Sequence, residues 1–478
     1  MSYLVGIDRY QSTFMPRSLD ELIDENNAVR VIDAFVDSIH LEDIGFIVYQ
    51  STNRGQRPYK RDDLLKIVLY SYMNKIRSSR GIEQECKRNI ELMWLTGSLT
   101  PDHGTVSGFI KENKDAVKEL FRSYVLLLKG LGFIDGELIA IDGTKIRASN
   151  AKNKHYNQNK INIKLAYYEQ RIAEYLDKLD ELDNEMTIEV EKKLLKYKER
   201  IERLKSIENE LKEEKKTQVC LTDPDAKSMR NNGCFEPCFN VQTAVDSKHK
   251  LIVTYDVVND ANDQAQLKNM VNRAKGELAE VIEEKNLDGE KISFVLDTGY
   301  YNQQQIIECS DESTEILIKK RVKEVGKIKA YDLEKYKYNS GTDTYICPDG
   351  YIVSFDSKFK KDEHSLRKYK CHDYENCKSR SVCTKSKTGR SINRPAAYDE
   401  LIEIEKNTYE KNDVYKRRGQ IVEHPFGTIK RHLGFTHFYR RGFRSVTCET
   451  GLVLLVYNIK RTINILGAKE IVALLRAI

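Results

Sequence analysis

Two aspartates stand where short apolar runs end. Glu137–Ile141 is β-compatible and leads into Asp142-Gly143, and Ile292–Leu296 is a continuous apolar run leading into Asp297-Thr298-Gly299. Runs of that kind mark buried strands, and open α/β sheets bind ligands beyond the carboxyl ends of their strands. If the two strands are neighbours, the carboxylates meet at one edge of the sheet, and Glu423, on a later helix, closes a triangle with them. Three hard oxygen donors suit two Mg²⁺ or Mn²⁺ ions that keep waters and bind phosphate. A pair of such ions activates the attacking oxygen and stabilises the leaving one in phosphoryl transfer. An Asp after a strand is commonly only a turn or capping residue. The tight turns after both aspartates, and the basic surroundings of the glutamate, favour ligation.

Those surroundings are concentrated. From Arg54 to Arg88 basic residues far outnumber Asp62, Asp63, Glu83 and Glu85. From Lys411 to Arg444 they face only Asp413 and Glu423 and are interleaved with Tyr415, Phe426, Phe435, Phe438, Tyr439 and Phe443. Two basic segments in a chain of net charge +6 point to a polyanionic partner, or else to solvated helix faces. With 478 residues, 40% hydrophobic and 32% charged, the chain has room for more than one core. The charged start and the short apolar stretch around Leu452–Tyr457 predict no signal peptide and no membrane span, hence a cytoplasmic protein. Ten cysteines without a compact framework predict reduced thiols or metal ligands.

Residues 1–135 read as helical. A core-facing helix starts at Arg61-Asp62, with shorter ones at Gly81–Cys86, Ile90–Leu95 and Thr105–Lys111, a pattern compatible with a helix-turn-helix-like unit. Strands follow at Glu137–Ile141, Phe239–Val245, Leu251–Val258, Ile292–Leu296 and Ile316–Ile318, with helices at Asp263–Glu283, Asn302–Cys309 and Asn412 to about Leu433. Pro425 must kink the last helix or sit in its first turn. The order predicts an α/β fold with a ribonuclease-H-like core built on a mixed five-stranded sheet.

Two insertions interrupt it. Leu165, Tyr168, Ile172, Tyr175, Leu179 and Leu182 step by three and four, and after Asp183-Asn184-Glu185 the pattern resumes at Leu194, Tyr197, Ile201, Leu204 and Leu211. This predicts an antiparallel coiled-coil hairpin with arms roughly 35–40 Å long. The second insertion carries Cys347, Cys371, Cys377 and Cys383, which suit either a structural Zn²⁺ or free thiols.

The stretch YKRRGQIVEHPFGTIK, Tyr415–Lys430, resembles the tyrosine–arginine–glutamate–lysine signature of insertion-sequence transposases. AIDGTKIRA and FVLDTGYYN resemble that family's first and second aspartate boxes. PDHGTVSGF and the basic Arg54–Tyr59 segment resemble its N-terminal domain, and the cysteine insertion with EHPFGTIK is similar to the branch called eleven-eighty-two. The resemblance implies a transposase of the Asp-Asp-Glu (DDE) type with Asp142, Asp297 and Glu423 as metal-binding catalytic acids. It implies DNA contacts from Tyr415, Arg418 and Lys430. Four residues separate Arg418 from Glu423 where the family often has three, so Arg417 is the alternative. Arg54, Arg57 and Lys60 would add contacts in the N-terminal part. The implied partners are the terminal inverted repeats and target DNA, bound by a homodimer because two ends are joined. The expected domains are 1–135 (DNA binding), 136–156 (first core strand), 157–216 (coiled coil), 217–320 (core), 321–395 (cysteine insertion) and 396–478 (Glu-bearing helix and terminal helices). A catalytically inactive, sequence-specific DNA-binding descendant is the alternative function, and a coiled-coil scaffold is a third.

Overall fold

A computed structural model describes residues 18–47, 58–179, 184–287, 289–320, 330–361, 364–395 and 398–477. Arg54, Arg57, Leu182 and Asp183 lie outside the described residues. The chain begins with six helices: α1 (Ala28–Asp37), α2 (Arg61–Met73), α3 (Ser79–Cys86), α4 (Ile90–Thr96), α5 (His103–Glu112) and α6 (Ala116–Gly130). Their starts follow from short polar side chains: Asn27, Ser78, Asn89 and Asp102 each accept a hydrogen bond from an otherwise unpaired N–H of the first turn. Gly97, at φ +62°, ends α4 in the left-handed conformation. Every residue of α2 from Leu64 to Met73 is buried, as befits a helix surrounded on all sides.

The chain continues through β1 (Leu138–Arg147), β2 (His155–Asn157), α7 (Gln158–Leu179), α8 (Asn184–Glu213), β3 (Gln218–Cys220), β4 (Lys227–Asn231), β5 (Cys234–Asp246) and β6 (Ile252–Val258). Then come α9 (Leu267–Glu277), α10 (Ala279–Leu287), β7 (Ile292–Leu296), α11 (Gln303–Cys309) and β8 (Thr314–Leu317). Among the described residues the main sheet has six strands, ordered β4-β5-β1-β7-β8, with β6 also paired to β5. The five-stranded expectation is corrected by β4, whose sequence KSMRN offers no apolar alternation to read. β1 runs antiparallel to β5 and parallel to β7, and β7 parallel to β8.

β1 is longer than its apolar run. It continues through Asp142 to Arg147, with Asp142 opposite Thr243, so Asp142 lies within the strand and not beyond its end. The expected helix Asp263–Glu283 is two helices, and Asp263 precedes both.

The cysteine insertion is a five-stranded antiparallel sheet among the described residues, ordered β13-β12-β11-β10-β9: β9 (Lys337–Asn339), β10 (Thr344–Ile346), β11 (Ile352–Lys361), β12 (His364–Cys371) and, after α12 (Arg380–Cys383), β13 (Ser391–Pro395). Tyr336, Tyr345, Val353, Tyr369, Cys371 and Ile392 form its own small core. α13 (Tyr398–Glu410), α14 (Asn412–Gly427), α15 (Phe443–Leu466) and α16 (Ala468–Ala477) complete the chain. Pro425 lies inside α14 near its end, and a π-helical turn, Thr428–His432, follows directly. The proline thus sits in the last turns and not the first.

One apolar core runs from α1 through the main sheet to α16, and it crosses residue 135 without a break. α1 packs on α16, and α2 and α6 pack on α15, a helix buried over most of its length. Arg77, after α2, reaches the C-terminal part of the chain. Its Nη1 donates to Glu449 Oε1 (2.9 Å) and to the His437 carbonyl (2.8 Å), and its Nη2 to the Gly434 carbonyl (3.1 Å). α7 and α8 pack together as a hairpin, with Tyr168 stacked on Tyr197 and a separate apolar cluster of Ile161, Leu204, Ile207, Leu211 and Val219 at its base. At 1.5 Å per residue the arms differ, about 33 Å and about 45 Å, because α8 is the longer helix. No helix among the described residues is long and apolar enough to cross a membrane.

Candidate active site

Parallel pairing of β1 with β7 sets Ile141 opposite Leu296, which brings the next residues, Asp142 and Asp297, side by side at the edge of the sheet. α14 packs over β1, β5 and β7. From it Arg418 reaches both acids: Nη1 lies 3.2 Å from Asp142 Oδ2 and Nη2 lies 3.4 Å from Asp297 Oδ1. Arg417 is exposed, so the residue at the acids is Arg418. Glu423 stands on the same helix, exposed, its Oε1 turned back toward Gly419. Tyr415 is half-buried beneath the ammonium of Lys319, 4.8 Å from its ring centre. Lys60 is exposed at the start of α2.

Crowding of negative charge shapes the electrostatics. Burial pushes the Asp142 carboxyl up to about 6, and Asp297 and Asp263 add to the rise. The Arg418 guanidinium and the Gly143 N–H, at 2.8 Å, oppose it. Burial raises the Tyr415 phenol, with Asp297 contributing, and burial lowers the Lys430 ammonium, helped by Lys145. His424 is engaged with the Tyr457 hydroxyl, 3.0 Å from Nδ1.

The sequence reading passed over three residues of this site. Asp263 Oδ1 accepts from both Asn240 Nδ2 and Gln242 Nε2, each at 2.7 Å. Gln242 Oε1 in turn accepts from the hydroxyl of Tyr300, in the turn just after Asp297. The available signal was the placement of Asn240 and Gln242 at alternate positions of a largely buried strand, since polar side chains buried there need partners.

Among the described residues no group of three or more His, Cys, Asp or Glu is packed closely enough to hold a metal ion. At the acids, the guanidinium of Arg418 stands between two carboxylates, the place a divalent ion would share. The donor set itself is the hard-oxygen kind that Mg²⁺ and Mn²⁺ take. In the insertion, the cysteines expected to hold zinc or to stay as free thiols sit close together, Cys347 and Cys377 both acting on Cys371. The Cys347 sulfur accepts from the Tyr351 N–H (3.2 Å), Cys383 pairs with the Tyr336 hydroxyl (3.4 Å), and Cys371 belongs to the small core, where burial raises its thiol.

Comparison with known proteins gives two family matches. Residues 17–112 match a transposase domain (DUF772), and residues 346–463 match a transposase DDE domain, a span that includes Glu423 and the Tyr415–Lys430 segment. No curated protein matches the chain. A cryo-EM structure of the piggyBac transposase synaptic complex with hairpin DNA aligns over 94% of this chain and 79% of that one, at 8% identity and a TM-score of 0.34. The chain thus resembles a transposase domain in its N-terminal helices and a transposase DDE domain around Glu423.

Proposed function

We propose that this protein cuts DNA at the terminal inverted repeats of an insertion sequence and joins the ends to target DNA, with Asp142, Asp297 and Glu423 as its metal-binding acids on a ribonuclease-H-like core. The observation that carries the reading is the double ion pair of Arg418 with Asp142 and Asp297, which docks the Glu423-bearing helix on the edge where the two aspartates meet. Asp142, Asp297 and Glu423 would hold two Mg²⁺ or Mn²⁺ ions. When bound, these supply activation of the attacking oxygen and stabilisation of the leaving one.

The chain's own groups bind and orient the substrate. Arg418 offers a planar fork that can leave a carboxylate for a phosphate, and Lys430 a point charge beside it. Tyr415 packs its ring at the same edge and presents a phenol to the backbone of the cleaved strand. Joining two ends calls for two copies of the chain, hence a dimer on DNA. The test is cleavage of the DNA flanking this reading frame with Mg²⁺. Asp297→Asn keeps the shape of the side chain, removes its charge, and abolishes cutting while end binding persists. Cutting at the parental rate by Asp297→Asn would sink the assignment.

A further inference from the structure

Asp263 lies in the loop between β6 and α9, away from every element that carries the three acids, yet it faces the same space. The two amides that hold its Oδ1 rise from β5 at positions directly opposite Gly143 and Lys145 of β1. The same network continues through Gln242 to the Tyr300 hydroxyl and so to the turn that carries Asp297. Its second oxygen is 3.7 Å from Lys145 Nζ.

Two glycines keep that space open. A Cβ on Gly143 would fall 2.9 Å from Asp263 Oδ1 and 2.3 Å from Gln242 Nε2. A Cβ on Gly299 would stand 3.8 Å from Asp263 Oδ2 and 3.9 Å from Asp297 Oδ2, so both carboxylates look onto one point. A separate observation marks the space as made for a ligand. Asn240 is wholly buried, and its Oδ1, 2.9 Å from that same Gly143 position, has no hydrogen-bond partner among the described residues. A buried acceptor without a donor is costly unless a cation or its bound water completes it. Asp263 is fixed chiefly by neutral amides, which orient a carboxylate without neutralising it.

We propose that Asp263 is a fourth carboxylate of the site and helps to hold the divalent cation together with Asp142 and Asp297, the Asn240 and Gln242 amides setting its direction. The proposal rests on the reading of Asp142 and Asp297 as metal-binding acids. Mn²⁺ binding to the full-length protein without DNA tests it, measured by calorimetry and by loss of the free-Mn²⁺ electron-resonance signal. Asp263→Asn preserves an oxygen for both amides and weakens Mn²⁺ about tenfold or more, the scale of perturbation expected around metal sites, with an unchanged melting temperature in the absence of metal. Asp263→Cys shifts the preference from Mg²⁺ toward the thiophilic Cd²⁺, a signature that a merely structural role would not produce. If Asp297→Asn loses Mn²⁺ while Asp263→Asn binds it as the parent does, Asp263 is structural and the proposal falls. If both variants bind like the parent, the reading of the acids as metal ligands falls and takes this proposal with it.

Discussion

Replacing Arg77 by alanine should destabilise the whole molecule. The Arg77 side chain is 4% exposed and that of Glu449 is fully enclosed, with 2.9 Å between their charged atoms. Removing the guanidinium leaves Glu449 buried with the N–H groups of Tyr439 and Arg440 and the more distant Arg440 charge. It also strips a donor from the Gly434 and His437 carbonyls and a cation from the rings of Phe435 and Tyr439. Breaking a buried pair from one side costs about 3–5 kcal/mol, a large share of the roughly 5–15 kcal/mol that holds a typical protein folded. Burial already holds the Glu449 carboxyl above its ordinary range, with Arg77 opposing the rise. A raised carboxyl favours folding at low pH and loses that advantage as pH climbs through its folded value. The Arg77→Ala cost should therefore be largest near pH 8 and shrink below about pH 4, where the carboxyl is neutral in both states. Arg77→Met with Glu449→Gln should recover much of the loss. Urea unfolding followed by the fluorescence of Trp94, the single tryptophan, reads this from the N-terminal helices. A loss below about 1 kcal/mol, or an equal loss at pH 4 and pH 8, would refute the reasoning.

Arg418→Ala should bind Mn²⁺ at least as tightly as the parent, because the cation that competes for Asp142 and Asp297 is gone, while cleavage falls by about tenfold or more. Weaker Mn²⁺ binding would contradict a competing role. Asp246 is wholly buried, and burial together with Asp135 raises its carboxyl well above the usual range. The folded state holds this proton longer than the unfolded chain does, so stability should fall as pH rises from about 4 toward neutrality. Asp135→Asn should flatten part of that slope in denaturation at stepped pH. Replacing residues 160–215 by a short Gly/Ser linker spares β2 and β3, which pair at the base of the hairpin, and should leave a cooperatively melting core, since the hairpin has its own apolar cluster. Loss of cooperative melting would show that the arms support the core.

The parts of the site that sequence reveals are those where one pattern has one cause. Four of the five residues of Ile292–Leu296 are apolar and buried, and the limits of the strand and the position of Asp297 follow directly. β1 misleads because its second half, DGTKIR, carries polar residues into a half-buried site, so Asp142 reads as the end of a strand that continues for five more residues. Asp263 was hidden for a different reason. The sequence places it at the start of an expected helix, and only tertiary contacts reveal that its partners are Asn240 and Gln242. In the insertion, strands such as SFDSKFKK bury little, and its small core is built largely of tyrosines.

The packing of α2 on α15 also sets a schedule for synthesis. The apolar residues of α2 leave the ribosome roughly 370 residues before Phe443, which at 5–20 residues per second is an interval of about 20–75 s. Throughout that interval the helix has its early neighbours α1, α3, α4 and α5 but not α15, and the face that α15 covers must be sheltered by chaperones or by those helices. A chain terminated just before Phe443 would contain Asp142, Asp297 and Glu423, yet it would lack the surface on which α2 and α6 close. Such a product would keep all three proposed acids and still lack part of the shared core, so a stop codon shortly after Glu423 is expected to be as disabling as loss of the acids themselves.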